Sequence, residues 1–149
     1  MLKAKSLQKV NAPESAEAYI AESMHEKLMG ALDELTKRYG KPYRVFRNAV
    51  CGNGYEQIVF HLMFEFDGKL YGVFRRNLKD GGEWEKVKKI GMRYKISPRR
   101  ILLVNTRISS EYADFLENYA DYYITNLTEE CFRRKIIAMV ENDFTQEVA

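Results

Sequence analysis

The side chains that most often carry catalysis or hold a metal are scarce in this sequence. Its histidines are His25 and His61, and its cysteines, Cys51 and Cys131, stand far apart without the close Cys or His spacing of a zinc site. No serine lies in a GxSxG motif, and the glycines at 52–54 lack the residues that complete a phosphate-binding loop. The sequence therefore offers no support for a hydrolase triad, a zinc site or a nucleotide loop. We interpret both cysteines as small core residues.

Basic residues are abundant instead, and they are concentrated in the middle of the chain. The net charge is +3, but residues 41–107 contain fifteen basic and six acidic residues, a net +9, whereas the remainder carries −6. This asymmetry predicts an anionic partner, DNA or RNA. The alternative is a solvated face whose charge is offset by the acidic flanking helices. The predicted nucleic-acid-binding residues are Arg75, Arg76, Lys79, Lys86, Lys89, Arg93, Arg99 and Arg100.

The spacing of apolar residues predicts the elements that position these side chains. The predicted helices span residues 14–39, 83–95, 109–120 and 129 to about 142, and the predicted strands span 43–48, 55–66, 69–76, 101–104 and 121–125. Asp67-Gly68 is a strong hairpin signal between the second and third strands. Alternation along the second strand places Phe60 and Leu62 on one face and His61 and Met63 on the other.

These elements define a single α/β domain with a mixed sheet in the order α-β-β-β-α-β-α-β-α. We expect residues 14–142 to form the domain, with tails at 1–13 and 143–149. The chain contains no apolar run of the roughly 20 residues that a membrane-spanning helix needs, and it starts without a secretory signal, so we expect a cytoplasmic protein without membrane contacts.

The element order resembles the core of the PD-(D/E)XK nuclease superfamily, which includes archaeal Holliday-junction resolvases and Mrr-type restriction enzymes. The resemblance covers about residues 15–125 and rests on the hairpin around Asp67-Gly68-Lys69, the apolar strand ILLVNTR at 101–107 and the segment 112–123. It implies a restriction-endonuclease-like fold that acts on nucleic acid.

The catalytic pattern of that superfamily is incomplete here. It requires an acidic residue on the second strand and a (D/E)xK triplet on the third, because two carboxylates hold Mg²⁺ while the lysine positions water. The resemblance assigns the second-strand position to Glu56 or His61. On the third strand it assigns Phe74 and Arg76, or, one register earlier, a valine and Arg75. Neither register contains a carboxylate.

An arginine in place of a metal ligand disfavours Mg²⁺ and favours phosphate, because its guanidinium stays charged and binds phosphate oxygens in pairs. We therefore predict a nucleic-acid-binding protein with a nuclease-like fold that needs no metal or cofactor. One alternative is an active Mg²⁺-dependent nuclease with Glu56 and a shifted Glu65 or Asp67 as ligands. The other is a protein-interaction or regulatory module with a receiver-like sheet, although residues 104–106 lack the aspartate of that family.

Two further expectations concern apolar surfaces. The apolar faces of the first and last predicted helices exceed what one small sheet needs to cover, which favours a homodimer. Trp84 and Tyr94, on the second predicted helix, are candidates either for stacking on bases or for the core.

Overall fold

Three helices and five strands make up the described part of the chain. The computed structural model describes residues 16–75, 81–104, 120–124 and 128–148. The helices are α1 (Ala16–Tyr39), α2 (Gly81–Arg93) and α3 (Glu129–Val148), and the strands are β1 (Tyr43–Asn53), β2 (Glu56–Phe66), β3 (Lys69–Arg75), β4 (Ile101–Val104) and β5 (Tyr122–Ile124), with a short 3₁₀ turn at Pro98–Arg100. The predicted N-terminal tail and residues 109–119 of the predicted helix at 109–120 lie outside the described residues, and residue 120 is not helical.

The strands form one mixed sheet in the order β1-β2-β3-β4-β5. β1, β2 and β3 are a consecutive antiparallel meander, whereas β3, β4 and β5 are parallel. α2 connects the parallel strands β3 and β4 and packs on one face of the sheet, while α1 and α3 pack on the other. The predicted α/β class, single domain and mixed sheet are therefore confirmed.

The turn between β2 and β3 forms where the sequence predicts it. Asp67 and Gly68 take positive φ values of 55° and 79°, and the flanking residues Phe66 and Lys69 pair with each other. Positive φ at both central residues is the geometry of a two-residue type I′ turn, which suits the twist of antiparallel strands.

The turn between β1 and β2 differs from the prediction. β1 continues past its predicted end at residue 48 through residues 49–53, and the turn consists of Gly54 and Tyr55, although the second predicted strand begins at residue 55. Gly54 has a positive φ of 58° whereas Tyr55 does not, the combination of a type II′ turn. Gly52 is required for another reason: a Cβ there would lie 2.1 Å from the carbonyl oxygen of Glu56. Tyr55 therefore occupies the tip of a long hairpin.

The predicted alternation along β2 is wrong at Phe60. Leu62 packs in the core that lies between the sheet and the helices α1 and α3. Phe60 instead packs with Met63 in the core on the other face, beneath α2. The change occurs where Asn48, with a left-handed φ of 49°, interrupts β1 between its pairs with Leu62 and Phe60. Gly72 makes room for the displaced ring, because a Cβ there would lie 2.6 Å from it.

α3 extends beyond its predicted end near residue 142 and continues to Val148. Residues 143–148 are therefore helical rather than a tail. Thr128 begins this helix as predicted, since its hydroxyl accepts a hydrogen bond from the Cys131 N–H at 3.1 Å. No helix in the described ranges is long and apolar enough to cross a membrane.

The apolar faces of α1 and α3 are covered within one chain. Leu28, Leu32 and Leu35 of α1 are fully buried together with Phe132 and Ile136 of α3. The reasoning that derived a homodimer from these faces is therefore wrong, and the homodimer itself stays a prediction.

Candidate nucleic-acid interface

α2 presents a row of basic side chains on its exposed side. Trp84 is fully buried on the side that faces the sheet. Lys86, Lys89 and Arg93 are exposed and follow one another at spacings of three and four residues, so they lie along one side of the helix. We call these three residues the α2 ridge. Of the eight basic residues predicted to bind nucleic acid, these three share a single surface.

Glu56, at the start of β2, lies against this ridge. Nη2 of Arg93 donates a hydrogen bond to Oε1 of Glu56 at 3.0 Å, and Nζ of Lys89 lies 3.7 Å from Oε2. The hydrogen bond from Arg93 and the charge of Lys89 lower the pKa of Glu56 below its usual range. The carboxylate is therefore ionised near neutral pH, and it offsets part of the charge of the ridge.

Lys86 has no acidic partner within the described ranges, in contrast to Lys89 and Arg93. The side chains of Lys89, Arg93 and Glu56 are 63%, 47% and 52% exposed. Three cations and one anion at this exposure leave the ridge with a net positive charge that faces solvent. Phosphate oxygens are suitable ligands for such a row.

Glu56 is not positioned for a metal site with Glu65 or Asp67. Glu56 and Glu65 are at opposite ends of β2, nine positions apart, which is roughly 30 Å at the rise of a strand. Glu65 accepts a hydrogen bond from Arg44 at 3.1 Å instead. The ligand set proposed for an active nuclease is therefore wrong. In the described ranges, no three His, Cys, Asp or Glu side chains come together where they could hold a metal.

His61 and Arg75 come together on neighbouring strands. The backbone N–H of Arg75 donates to Nδ1 of His61 at 3.3 Å, and both residues are half-buried. Phe74 is at a position where the resemblance implies an acidic residue, and it is buried beneath α2. Arg75 is the last residue of β3 and lies beside Val104 of β4. Arg76 and Lys79 lie outside the described residues.

Arg99 and Arg100 lie in a different place and have a different partner. Their Nε atoms donate to the carboxylate of Asp143 at 3.2 and 2.9 Å, and the hydroxyl of Tyr71 donates to it at 2.7 Å. They precede β4, whereas Arg75 lies at the opposite end of the parallel pair, beside Val104. Arg75 and the pair Arg99 and Arg100 therefore lie at opposite ends of the parallel strands β3 and β4.

Asp143 is the centre of this second cluster and is only 2% exposed. Burial by itself would raise the pKa of Asp143, but the hydrogen bonds from Tyr71 and Arg100 and the charge of Arg100 outweigh burial, so the pKa is lowered. Arg100 also stacks over the ring of Tyr71, 5.7 Å from its centroid. These contacts join α3 to β3 and to the start of β4.

A pocket of about 490 Å³ opens beside Asp143. It is lined by Arg99, Asp121, Tyr122, Met139, Asn142 and Asp143. Its one arginine already donates to Asp143, and Asp121 adds a second carboxylate, so the pocket has no excess positive charge for phosphate. The α2 ridge is therefore the better candidate for an anion.

Sequence reasoning missed two residues that matter here. Tyr55 is 99% exposed at the hairpin tip, and the glycine before it was the available signal for a two-residue turn. Asp143 falls in the predicted tail at 143–149, although Met139, Val140 and Phe144 continue the apolar spacing of the last helix past it. Trp84 is in the core, whereas Tyr94 is 41% exposed.

Comparison with models of protein families, with curated proteins and with solved structures gave no match. The functional interpretation therefore rests on the geometry of the chain.

Proposed function

We propose that this protein binds nucleic acid through contacts between the α2 ridge and backbone phosphates. One observation carries the proposal: Lys86, Lys89 and Arg93 form an exposed row on one helix, with Glu56 as the acidic partner of two of them. These three residues belong to the segment 41–107, which has an excess of positive charge. Phosphate contacts of this kind attract DNA and RNA without reading sequence.

The ion pairs of Glu56 do not prevent this binding. Exposed ion pairs of lysine or arginine with a carboxylate contribute little to stability, because water and salt screen them. A phosphate that approaches Lys89 and Arg93 replaces the carboxylate of Glu56 as their anionic partner, at a small cost in free energy. Binding also releases counterions from the nucleic acid, which favours association at low salt.

The order of the described elements supports a restriction-endonuclease-like fold that has lost its metal site. In this proposal His61 and Phe74 occupy positions at which the superfamily has acidic residues, and each is the direct chain neighbour of a residue in the Leu62–Val73 pair of β2 and β3. The protein then retains the nucleic-acid-binding part of the fold and does not cleave by the metal mechanism.

Salt dependence tests the proposal. We expect the affinity for a labelled duplex to fall with salt at a log–log slope of roughly −0.9 for each phosphate contact, so replacing Lys86 and Lys89 together with alanine reduces the slope by nearly two. The loss should be equal for unrelated sequences. Fluorescence anisotropy between about 50 and 200 mM salt measures it.

A matched control removes the same charge elsewhere. Lys37 on α1 and Arg134 on α3 are exposed on helices that cover the other face of the sheet, so the Lys37→Ala, Arg134→Ala variant should keep the slope of the wild type. The proposal is refuted if the wild type does not bind nucleic acid at low salt. It is also refuted if the Lys86→Ala, Lys89→Ala variant folds and keeps the salt slope of the wild type.

A further inference from the structure

The tip of the β1–β2 hairpin carries an exposed aromatic residue next in the chain to the residue that contacts the α2 ridge. Tyr55 is 99% exposed, and the next residue, Glu56, contacts both Lys89 and Arg93. Consecutive Cα atoms are about 3.8 Å apart, so the backbone of Tyr55 lies next to the residue that bridges the ridge. The exposed ring of Tyr55 therefore starts from a backbone position that is adjacent to the residue that contacts the ridge.

The backbone that carries Tyr55 is held from both sides. Asn53 and Glu56 pair across the two-residue turn, and the hydroxyl of Tyr94 accepts a hydrogen bond from the Gly52 N–H at 2.8 Å. Tyr94 directly follows α2, so this bond fastens the hairpin to the same helix that carries the ridge. The exposed ring therefore projects from a positioned turn rather than from a long loop.

We propose that Tyr55 stacks on an unpaired base while the α2 ridge holds the adjacent phosphates, so that single-stranded nucleic acid is the preferred ligand. This inference rests on the proposed function of the ridge. Bases of a single strand expose their faces, whereas those of a duplex are covered by their neighbours. Aromatic rings beside a basic groove are the usual means of binding single strands without reading sequence.

Charge favours this ligand over a second copy of the chain. A symmetric contact through the two hairpin tips would bring two α2 ridges together, and like charges repel. A single strand instead brings phosphates to the ridge and bases to the ring. The same chemistry is offered by DNA and RNA, so both are used as probes.

The experiment measures anisotropy with labelled single-stranded DNA and RNA of one sequence, the corresponding DNA duplex, and a strand of equal length whose central bases are removed. We expect Tyr55→Ala to weaken single-strand binding by roughly 5- to 150-fold, the range for loss of one stacked base. Tyr55→Phe should retain binding because the ring remains. The duplex, the abasic strand and the salt slope should be unaffected by either change.

Val50 provides a matched control, because it is 56% exposed on the same hairpin but is not aromatic. Val50→Ala should bind single strands as the wild type does. If the wild type binds duplex and single strand equally and Tyr55→Ala changes neither, the inference is overturned while the proposed function stands. If the wild type binds none of the probes, the proposed function fails as well. If light scattering then shows a dimer that Tyr55→Ala dissociates, the hairpin tip is a contact with a second copy of the chain.

Discussion

Glu56 and Asp143 are both carboxylates held by two basic side chains, but they lie in opposite environments. Glu56 is about half exposed and contacts Lys89 and Arg93 across open surface. Asp143 is 2% exposed and accepts hydrogen bonds from Arg100, Arg99 and Tyr71. The same types of residue therefore form an exchangeable surface cluster in one place and a fixed internal contact in the other.

The difference follows from solvent. An exposed ion pair is screened by water and salt, so its cations can change partners at little cost. A buried carboxylate has lost its water and depends on every hydrogen bond that replaces it. A basic residue is thus a better candidate for phosphate binding when its acidic partner is exposed, which favours the α2 ridge over Arg99 and Arg100.

The largest expected effect is on stability at Asp143. Replacing it with asparagine removes the charge that balances two arginines, and removing one partner of a buried ion pair costs about 3–5 kcal/mol. We expect the lower end, about 3 kcal/mol in the free energy of unfolding, because the Arg99 side chain is 44% exposed and can be rehydrated. Urea unfolding followed by circular dichroism measures it.

Glu130 supplies the control on the same helix. It also contacts two arginines, Arg133 and Arg134, but is 55% exposed, so Glu130→Gln should shift the urea midpoint far less. Equal losses for the two variants would show that burial does not distinguish the clusters.

Acid should separate Asp143 from an ordinary carboxylate. Because the pKa of Asp143 is lowered in the folded state, its contribution to stability is present above the unfolded pKa of about 3.9 and is lost as the pH falls through the lower folded value. We expect the difference in urea midpoint between wild type and Asp143→Asn to be constant from about pH 7 to 5 and to shrink below about pH 4. A difference that stays constant down to about pH 2.5 would contradict this assignment.

Local signals in the sequence predicted the sheet well. Asp67-Gly68 specifies a turn with two positive φ values, and the run Ile101–Val104 specifies a strand buried on both faces, and both appear as predicted. Gly40 ends α1, with a φ of 68° and its N–H bonded to the Thr36 carbonyl at 2.8 Å. Each of these features depends on a few neighbouring residues.

The candidate site was harder to predict because it depends on contacts between distant residues. The position of Glu56 on β2 makes it a candidate metal ligand in the sequence. Its partners in the structure are Lys89 and Arg93 of α2, which are 33 and 37 positions later in the chain. In the sequence, Arg99 and Arg100 do not differ from the other basic residues of this segment. In the structure both donate hydrogen bonds to Asp143, which is more than 40 positions away. Charge counts reveal an excess of cations, but they do not reveal which cations are neutralised after folding.

The smallest expected effect distinguishes binding from catalysis at Glu56. Replacing it with glutamine removes the anion that contacts Lys89 and Arg93. We therefore expect binding of nucleic acid to tighten by roughly two- to fivefold at low salt, and less at high salt, as expected for one screened charge. The urea midpoint should not move, in contrast to Asp143→Asn. If Glu56 instead held a catalytic metal, the same substitution would abolish a Mg²⁺-dependent cleavage. Anisotropy and a cleavage assay on the Glu56→Gln variant distinguish a surface anion from a metal ligand. Weaker binding of nucleic acid, or the loss of a cleavage activity, would contradict the exchangeable ion pairs that we assign to this carboxylate.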